Sequence, residues 1–234
     1  GSLASYEVEG RRWTTEPEGA SYSGNKTAVT SNSVDTEAAS ADVVRLAGAH
    51  DFDRKFSDFG DVSFLTSYMQ AMTESYARKT DAALVDFLQI SAQIVAPGTV
   101  PSGVSEAAAA IVDGALAVLD KGVPDYALVA PDLWRQLLLT PKDQTLEYLS
   151  MALGLEEGTV KGFKIVPRSD MDPGTVLVGI KGAVQFFELP GVPIRVDAIN
   201  IANGGLDQGL FGYFAELLHD ADGLALVDVD GIGS

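Results

Sequence analysis

The chain contains no cysteine and only two histidines, His50 and His219. Without thiols, a disulfide framework, a thiol nucleophile and a cysteine-ligated zinc or iron–sulfur site are all excluded. Imidazole chemistry has only these two side chains to draw on, and each is followed by an aspartate in turn-like sequence. That setting favours two surface histidines rather than a catalytic pair.

Basic residues are also scarce. The sequence has 16 Lys and Arg against 33 Asp and Glu, a formal net charge of -17. A nucleic acid would be repelled by this average field, because binding one needs clustered Lys and Arg. Apolar runs approaching the ~20 residues that span a bilayer are missing as well. What is present, 234 residues of which 46% are hydrophobic, suffices for one large domain or two small ones with a real core.

The first 49 residues form a polar segment, rich in Ser, Thr, Asn, Gly and Glu. Two weak strand patterns, at 6–9 and 27–30, flank a turn-rich loop at 18–25. Such an arm buries too little surface to offset the ~1–2 kcal/mol per residue that ordering costs, and an isolated hairpin is marginal in water. We therefore expect residues 5–45 to be poorly ordered or held only by neighbouring molecules, with a disordered tail as the alternative.

A helical period begins at Asp61 and continues to about Gln93, without Gly or Pro. It predicts one amphipathic helix roughly 50 Å long, well beyond the usual ~11–12 residues. Asp61 or Ser63 can cap its start. Its apolar stripe contains Phe64, Leu65, Tyr68, Met69, Met72, Tyr76, Ala83, Leu84, Phe87 and Leu88.

After a Pro-Gly linker at 97–101, helical and strand patterns alternate. Further helices are predicted at 105–121, from Pro131 onward, and at 142–153. The first of these has an apolar face made of Ala108, Ile111, Val112, Ala115, Leu116 and Leu119. Strands are predicted at 126–130, 163–166, 175–178, 183–188, 194–199, 210–214 and 224–227. A strong turn signal at 189–193 separates two of these strands.

Two stretches come close to a phosphate-binding loop, G-x-x-x-x-G-K-[ST], without matching it. Gly19 and Gly24 have the first spacing, but Asn25 pushes the lysine back by one place. Gly174 and Gly179 repeat the spacing with the wrong ending. Neither stretch predicts a nucleotide site.

Acidic and nucleophilic candidates are equally weak. No G-x-S-x-G nucleophile elbow occurs. The acidic pairs at 220–222 and 228–230 lack the further oxygen ligand and the bidentate Glu of a calcium loop, so Asx-turns explain them better. Glu16 and Glu18 could face one another, but the arm gives them no walls, and Lys26 has the ordinary role of an exposed lysine. We predict no catalytic, cofactor-binding or metal-binding residues, and no enzyme.

The order of these elements resembles the major capsid proteins of tailed bacteriophages with the HK97 fold, especially forms from phages or prophages of actinobacteria. The arm followed by the long helix at 62–94 is similar to the E-loop and spine helix of that family. The strand and Pro-x-x-Trp helix at 126–134 are similar to its axial domain. Further similar segments lie at 162–167, 174–179, 194–201 and 211–216.

The resemblance implies an α+β, HK97-like fold in three parts. These are an E-loop-like arm at 1–49, a peripheral domain at 50–95 and 182–212 with the spine helix at about 61–94, and an axial domain at 96–181 and 213–234. It implies a coat subunit that self-assembles into pentamers and hexamers of an icosahedral head enclosing double-stranded DNA. The expected location is the virion, after assembly in the bacterial host cytoplasm.

The expected partner is the chain itself, with scaffolding, portal and decoration proteins as further candidates. No cofactor, no membrane and no sequence-specific nucleic acid binding are implied. An encapsulin-type compartment shell shares the fold and is the first alternative. A small hydrolase or nucleotide-binding protein is the alternative from another class.

The N-terminal part of the chain departs from the family pattern. Little precedes the arm, and the chain opens on Gly1-Ser2 without Met, so we expect it to lack an N-terminal segment of the natural protein. Some shells of this type are sealed by Lys–Asn isopeptide bonds, for which Lys26 and Asn200 or Asn203 are the nearest candidates. No local motif fixes that match, and the activity is not carried over.

Overall fold

The computed structural model describes residues 1–59, 62–140 and 163–231. Within these ranges the helices are α1 Lys55–Asp58, α2 Val62–Ser91, α3 Glu106–Val118 and α4 Pro131–Leu139. The strands are β1 Glu7–Thr15, β2 Asp35–Asp42, β3 Val44–Asp53, β4 Gln93–Val95, β5 Tyr126–Val129, β6 Lys164–Pro167, β7 Thr175–Gly179, β8 Val184–Glu188, β9 Ile194–Asn200, β10 Gly205–Leu218 and β11 Leu224–Asp228. The helix predicted at 142–153 and the proposed Asp61 cap lie outside the described residues.

The long amphipathic helix is confirmed as α2, which has 30 residues and therefore extends about 45 Å. Its predicted stripe faces the body of the protein, with Tyr76 and Leu88 buried. The helix ends at Ser91, earlier than predicted, because the next residues form β4 and pair in parallel with β11.

A five-stranded sheet lies beside the C-terminal end of α2. Its strand order is β4-β11-β7-β5-β6, with β7 antiparallel to both of its neighbours. Every residue of β7 is buried, so this strand forms the centre of the sheet. Helices α3 and α4 cover one face, where Ile111, Val118 and Leu133 pack with Val176 and Val178.

The buried face of α3 differs from the predicted one. Leu116 and Leu119 were predicted to face the core, but they are 62% and 54% exposed. The helix instead turns small residues toward the sheet, and a Cβ on Gly114 would lie 2.7 Å from Cγ2 of Val178. The orientation of α3 is therefore determined by how closely the helix approaches the sheet, more than by the number of large apolar side chains on one helix face.

A second sheet is organised around the 14-residue strand β10. β3 pairs with one edge of β10, while β9 and β8 follow one another along the other edge. The turn predicted at 189–193 is present, but the strands that it joins each pair with β10. Helix α2 crosses this sheet so closely that a Cβ on Gly212 would overlap the ring of Tyr76.

Candidate assembly surfaces

The arm is a two-stranded hairpin. β1 pairs antiparallel with β2, from Glu7 opposite Asp42 to Thr15 opposite Asp35. The second strand was predicted at 27–30 and lies instead at β2, so that prediction is wrong. Cross-strand side-chain contacts join Arg12 to Glu37 and Arg11 to Thr36. The hairpin thus satisfies its own backbone over about eight positions.

The tip of the arm is a tight turn. Asn25 and Lys26 both have positive φ, at 53° and 61°. The turn is closed by the Thr27 N–H, which donates to the Gly24 carbonyl oxygen at 3.1 Å. Left-handed conformation at both central positions matches the twist of a hairpin, and the turn presents the Lys26 side chain to solvent.

The base of the arm is anchored on its own chain. Leu3 and Val8 are 5% and 9% exposed and pack against Ala215 and Leu217 of β10. The Leu3 N–H donates to the Glu188 carbonyl oxygen at 2.9 Å. The expectation that residues 5–45 are poorly ordered or held only by neighbouring molecules is therefore wrong for this base, where Val8 is buried on its own chain.

The distal part of the arm is different. Residues 11–35 are exposed apart from Gly24. Trp13 and Tyr22 are 52% and 53% exposed, and Val29 and Val34 are open to solvent in the same way. Aromatic side chains presented on an extended, polar segment are typical of interaction surfaces.

Two further apolar surfaces lie on the body. β9 is exposed along nearly its whole length, including Ile194, Val196 and Ile199. At the end of α3, Leu116 and Leu119 are joined by Val123, which is 80% exposed. A subunit with several such surfaces is suited to contacts in more than one direction.

The two histidines have separate structural roles. His50 Nδ1 lies 2.9 Å from the Tyr68 hydroxyl, which also donates to the Gln208 carbonyl oxygen. His219 Nε2 lies 3.1 Å from Gln185 Oε1. Both ring systems are at or near the surface, in agreement with the sequence interpretation.

The acidic candidates behave as turn residues. Asp220 Oδ1 accepts from the Asp222 N–H, and Asp228 Oδ1 accepts from the Asp230 and Gly231 N–H groups, all at 3.0 Å. These are the Asx-turns that the sequence favours. The described residues hold no cluster of three or more His, Asp or Glu side chains arranged to bind a metal ion.

Neither glycine-spaced stretch has the geometry of a phosphate-binding loop, and the isopeptide candidates lie in separate elements. Gly19 and Gly24 belong to the distal arm, and Gly179 ends the buried strand β7. Lys26 is at the arm tip, while Asn200 ends β9 and Asn203 lies in a short 3₁₀ turn. None of these glycine pairs leads from a strand into a helix, as a phosphate loop requires.

Perturbed groups in the body have structural causes. Burial, followed by the hydrogen bond to Glu188, raises the pKa of the Tyr76 phenol. Burial, with the nearby Asp125 carboxylate, raises the pKa of Tyr126 to about 12. A hydrogen bond from Arg168 lowers the pKa of the Asp170 carboxyl. Tyr126 and Arg168 line one cleft beside α2, whereas Tyr76 lines another, and each shift is explained by burial or by a neighbouring side chain.

A family model described as phage capsid protein matches residues 36–225, well over half of the sequence. The chain belongs to the phage capsid protein family. No curated protein sequence matches it. In residues 1–59, 62–140 and 163–231, no helix combines the length and the hydropathy needed to cross a bilayer.

Solved capsid structures share the fold. A chain from Mycobacterium phage Che8 matches with a TM-score of 0.69 at 15% identity, covering 97% of this chain and 86% of that one. The capsid of a native GTA particle matches with a TM-score of 0.71 at 15% identity, with the same coverage. The capsid of the Myoviridae phage XM1 gives 0.63 at 15% identity, covering 95% and 85%. The predicted α+β, HK97-like fold is confirmed.

Membership of the phage capsid protein family sets the role of the chain. It is a structural major capsid subunit, its place is the virion shell, and copies of it assemble with one another. The predicted coat function is confirmed, and the compartment-shell, hydrolase and nucleotide-binding alternatives receive no support. An actinobacterial origin stays a prediction, because the matching structures include a cyanophage capsid as well as mycobacterial phages.

Proposed function

We propose that this phage capsid protein forms the pentamers and hexamers of an icosahedral head that encloses double-stranded DNA, and that its arm lies across a neighbouring subunit. The observation that carries the proposal is the contrast within the arm. Its base is buried on its own chain, while its distal part exposes Trp13 and Tyr22 without a covering surface. A neighbouring copy would supply that surface, and its burial would offset the cost of ordering the arm.

The division into domains is part of this proposal. The arm is residues 1–43, ending where β3 begins to pair with β10. The peripheral domain contains α2 and the β10 sheet, and the axial domain contains the five-stranded sheet with α3 and α4. We place the second boundary after Leu218 instead of at 212, because β10 continues without interruption to that residue.

We expect the shell to enclose the genome without binding it tightly. With a net charge of -17, the subunit repels phosphate on average. We propose no catalytic, cofactor or metal site and no enzymatic activity. Assembly in the host cytoplasm, with scaffolding, portal and decoration proteins as partners, completes the proposal.

Electron microscopy of particles tests it. The double variant Trp13→Ser/Tyr22→Ser removes the two exposed aromatic rings of the distal arm. It should keep the thermal midpoint of the free subunit, because both rings are half exposed there. The yield of closed shells should fall at least tenfold, which corresponds to about 1.4 kcal/mol of association free energy. The matched control is Phe59→Ser, which removes an exposed ring outside the arm.

Closed shells from the double variant at wild-type yield would contradict the role of the arm. Particles whose capsomers are neither fivefold nor sixfold would contradict the proposed architecture. Equal loss of shells in Phe59→Ser would show that exposed rings act without regard to the arm.

A further inference from the structure

Lys121 joins the distal arm to the body. Its Nζ lies 3.3 Å from Glu16 Oε1, in the arm, and 3.6 Å and 3.8 Å from the carboxylates of Asp220 and Asp222. The Lys121 and Asp220 side chains are 31% and 33% exposed and so partly shielded from water, whereas Glu16 and Asp222 are more open to solvent. One cation therefore holds three carboxylates from two distant parts of the chain.

The body fixes the position of Lys121. Its N–H donates to the Val118 carbonyl oxygen at 3.1 Å, just beyond the end of α3. Asp220 is itself fixed, because its other oxygen accepts from the Asp222 N–H. Partial burial lowers the pKa of Lys121, but the attraction of Asp220, Glu16 and Asp222 outweighs it and the pKa is raised. Lys121 is therefore charged at neutral pH, where the carboxylates are ionised.

Hydrogen bonds around Glu16 tie the two limbs of the distal arm together. The Asn32 side chain donates to the Glu16 carbonyl oxygen at 2.6 Å and accepts from the Glu18 N–H at 3.0 Å. Gly19 and Ser31 form a β-bridge between the same two limbs. Apart from the contact with Lys121, the other hydrogen bonds that the described part shows for residues 16–32 are internal to this loop. Holding the Glu16 carboxylate thus holds the whole loop.

Lys121 determines whether the electrostatic interaction between Glu16 and the body is attractive or repulsive. With Lys121 charged, Glu16 is attracted to the body. Without it, Glu16 would face Asp220 and Asp222 alone, and like charges at this distance repel. A single neutralisation would therefore convert an attractive site into a repulsive one.

We propose that Lys121 and Glu16 form a latch that keeps the distal arm docked on its own subunit until assembly, and so delays its transfer to a neighbouring copy. This rests on the proposed function, in which the arm lies across a neighbour in the shell. The latch is an autoinhibitory contact: the arm cannot bridge two subunits while it is held by the first.

The absence of cysteine makes a direct test simple, since Ser21→Cys in the arm and Ser102→Cys in the axial domain would carry two spin labels at unique sites. Pulsed electron paramagnetic resonance on the dilute subunit then measures the distances between the two labels. The distance distribution gives the ratio of docked to released arms. Glu16→Gln should lower this ratio about two- to fivefold, the range expected for a partly exposed ion pair. Glu18→Gln, with the same change of charge two residues away, is the matched control and should not change it.

Lys121→Gln gives a second, independent reading. Alone, it should lower the docked fraction further than Glu16→Gln does, because Asp220 and Asp222 stay in place. In the Lys121→Gln background, adding Glu16→Gln should raise the docked fraction, since it removes the repelled charge. A ratio unaffected by Glu16→Gln, or a further fall in the double variant, would overturn the latch.

Assembly kinetics test the inhibitory role. The lag before light scattering rises should be shorter for Glu16→Gln than for Glu18→Gln. Equal lags, with the arm shown to be released, would overturn the inhibitory role. If no variant and no wild-type sample forms shells of fivefold and sixfold capsomers, the proposed function fails instead, and the label distances still decide whether the latch exists.

Discussion

At the scale of single residues, close contacts between helix and sheet determine which side chains the body tolerates. Gly212 lies under the Tyr76 ring, and Gly48 lies under the end of Met72. Tyr76 is 7% exposed and its hydroxyl donates to Glu188 Oε1 at 2.8 Å, so the ring has little freedom to move. These two glycines let α2 approach the sheet closely at Met72 and at Tyr76.

Gly212→Ala should therefore destabilise the subunit. The new Cβ would lie 1.9 Å from Cε2 of Tyr76, and relieving that overlap in a packed site typically costs about 1–3 kcal/mol. Urea unfolding of the dilute subunit measures the change. Gly182→Ala is the control, because nothing lies within 4 Å of its Cβ position, and it should stay within about 0.5 kcal/mol of wild type. An equal effect at both positions would contradict the argument.

Residue-scale predictions from the sequence succeed where local chemistry decides. The acidic pairs at 220–222 and 228–230 form Asx-turns because Asp220 and Asp228 each accept a backbone N–H within their own turn. The exposure of Leu116 was missed because the orientation of α3 depends on Val178, more than sixty residues away. The Glu16–Lys121 contact was missed for the same reason, since nothing in either local sequence indicates the other.

At the scale of elements, α3 shows how one local signal sets a boundary. Ser105 is extended and its Oγ accepts from the Ala108 N–H at 3.3 Å, which satisfies one of the free donors at the helix start. The helix then covers the centre of the five-stranded sheet. Its first turn is thus tied both to the cap and to the core.

Ser105→Ala should cost about 1 kcal/mol of unfolding free energy, because it leaves that N–H without its side-chain acceptor. The change is measured by denaturant unfolding followed by circular dichroism. Ser102→Ala, in the loop just before, removes the same group outside the helix and should have little effect. A larger loss for Ser102→Ala than for Ser105→Ala would contradict the capping role.

Elements were predictable where their pattern is long. α2 was found from its stripe, but its end was misplaced because Gln93–Val95 pairs with β11, about 130 residues further along. β2 was missed because its sequence, with three alanines among Asp, Thr, Glu and Ser, lacks the alternation of a strand with one buried face. Its pairing with β1 is decided by the hairpin as a whole, not by its own composition.

At the scale of the whole molecule, charge opposes association. Copies carrying -17 each repel one another, and this repulsion is screened over about 8 Å at 0.15 M salt but over about 30 Å at 0.01 M. The assembly surfaces described above are largely apolar or locally neutral. Association should therefore be limited by the overall field more than by the contacts themselves.

Raising the ionic strength from about 0.01 M to about 0.15 M should shorten the assembly lag, measured by light scattering. The same shortening should persist in Glu16→Gln, where the latch is absent, which separates the overall field from the latch. Sucrose at equal osmolarity is the control for solvent effects. A longer lag at the higher ionic strength would show that attraction between charged surfaces outweighs the repulsion.

The connection between arm and body has a mechanical consequence. Val43 alone separates β2 from β3, and β3 is paired with β10 at ten consecutive positions. A force that a neighbouring subunit exerts on the arm therefore acts on the end of the β3–β10 pairing. The force is then shared among the hydrogen bonds between these two strands. Internal pressure from a packaged genome would place these connections under tension. A connection that ends in a ten-position strand pairing resists this tension without a covalent cross-link.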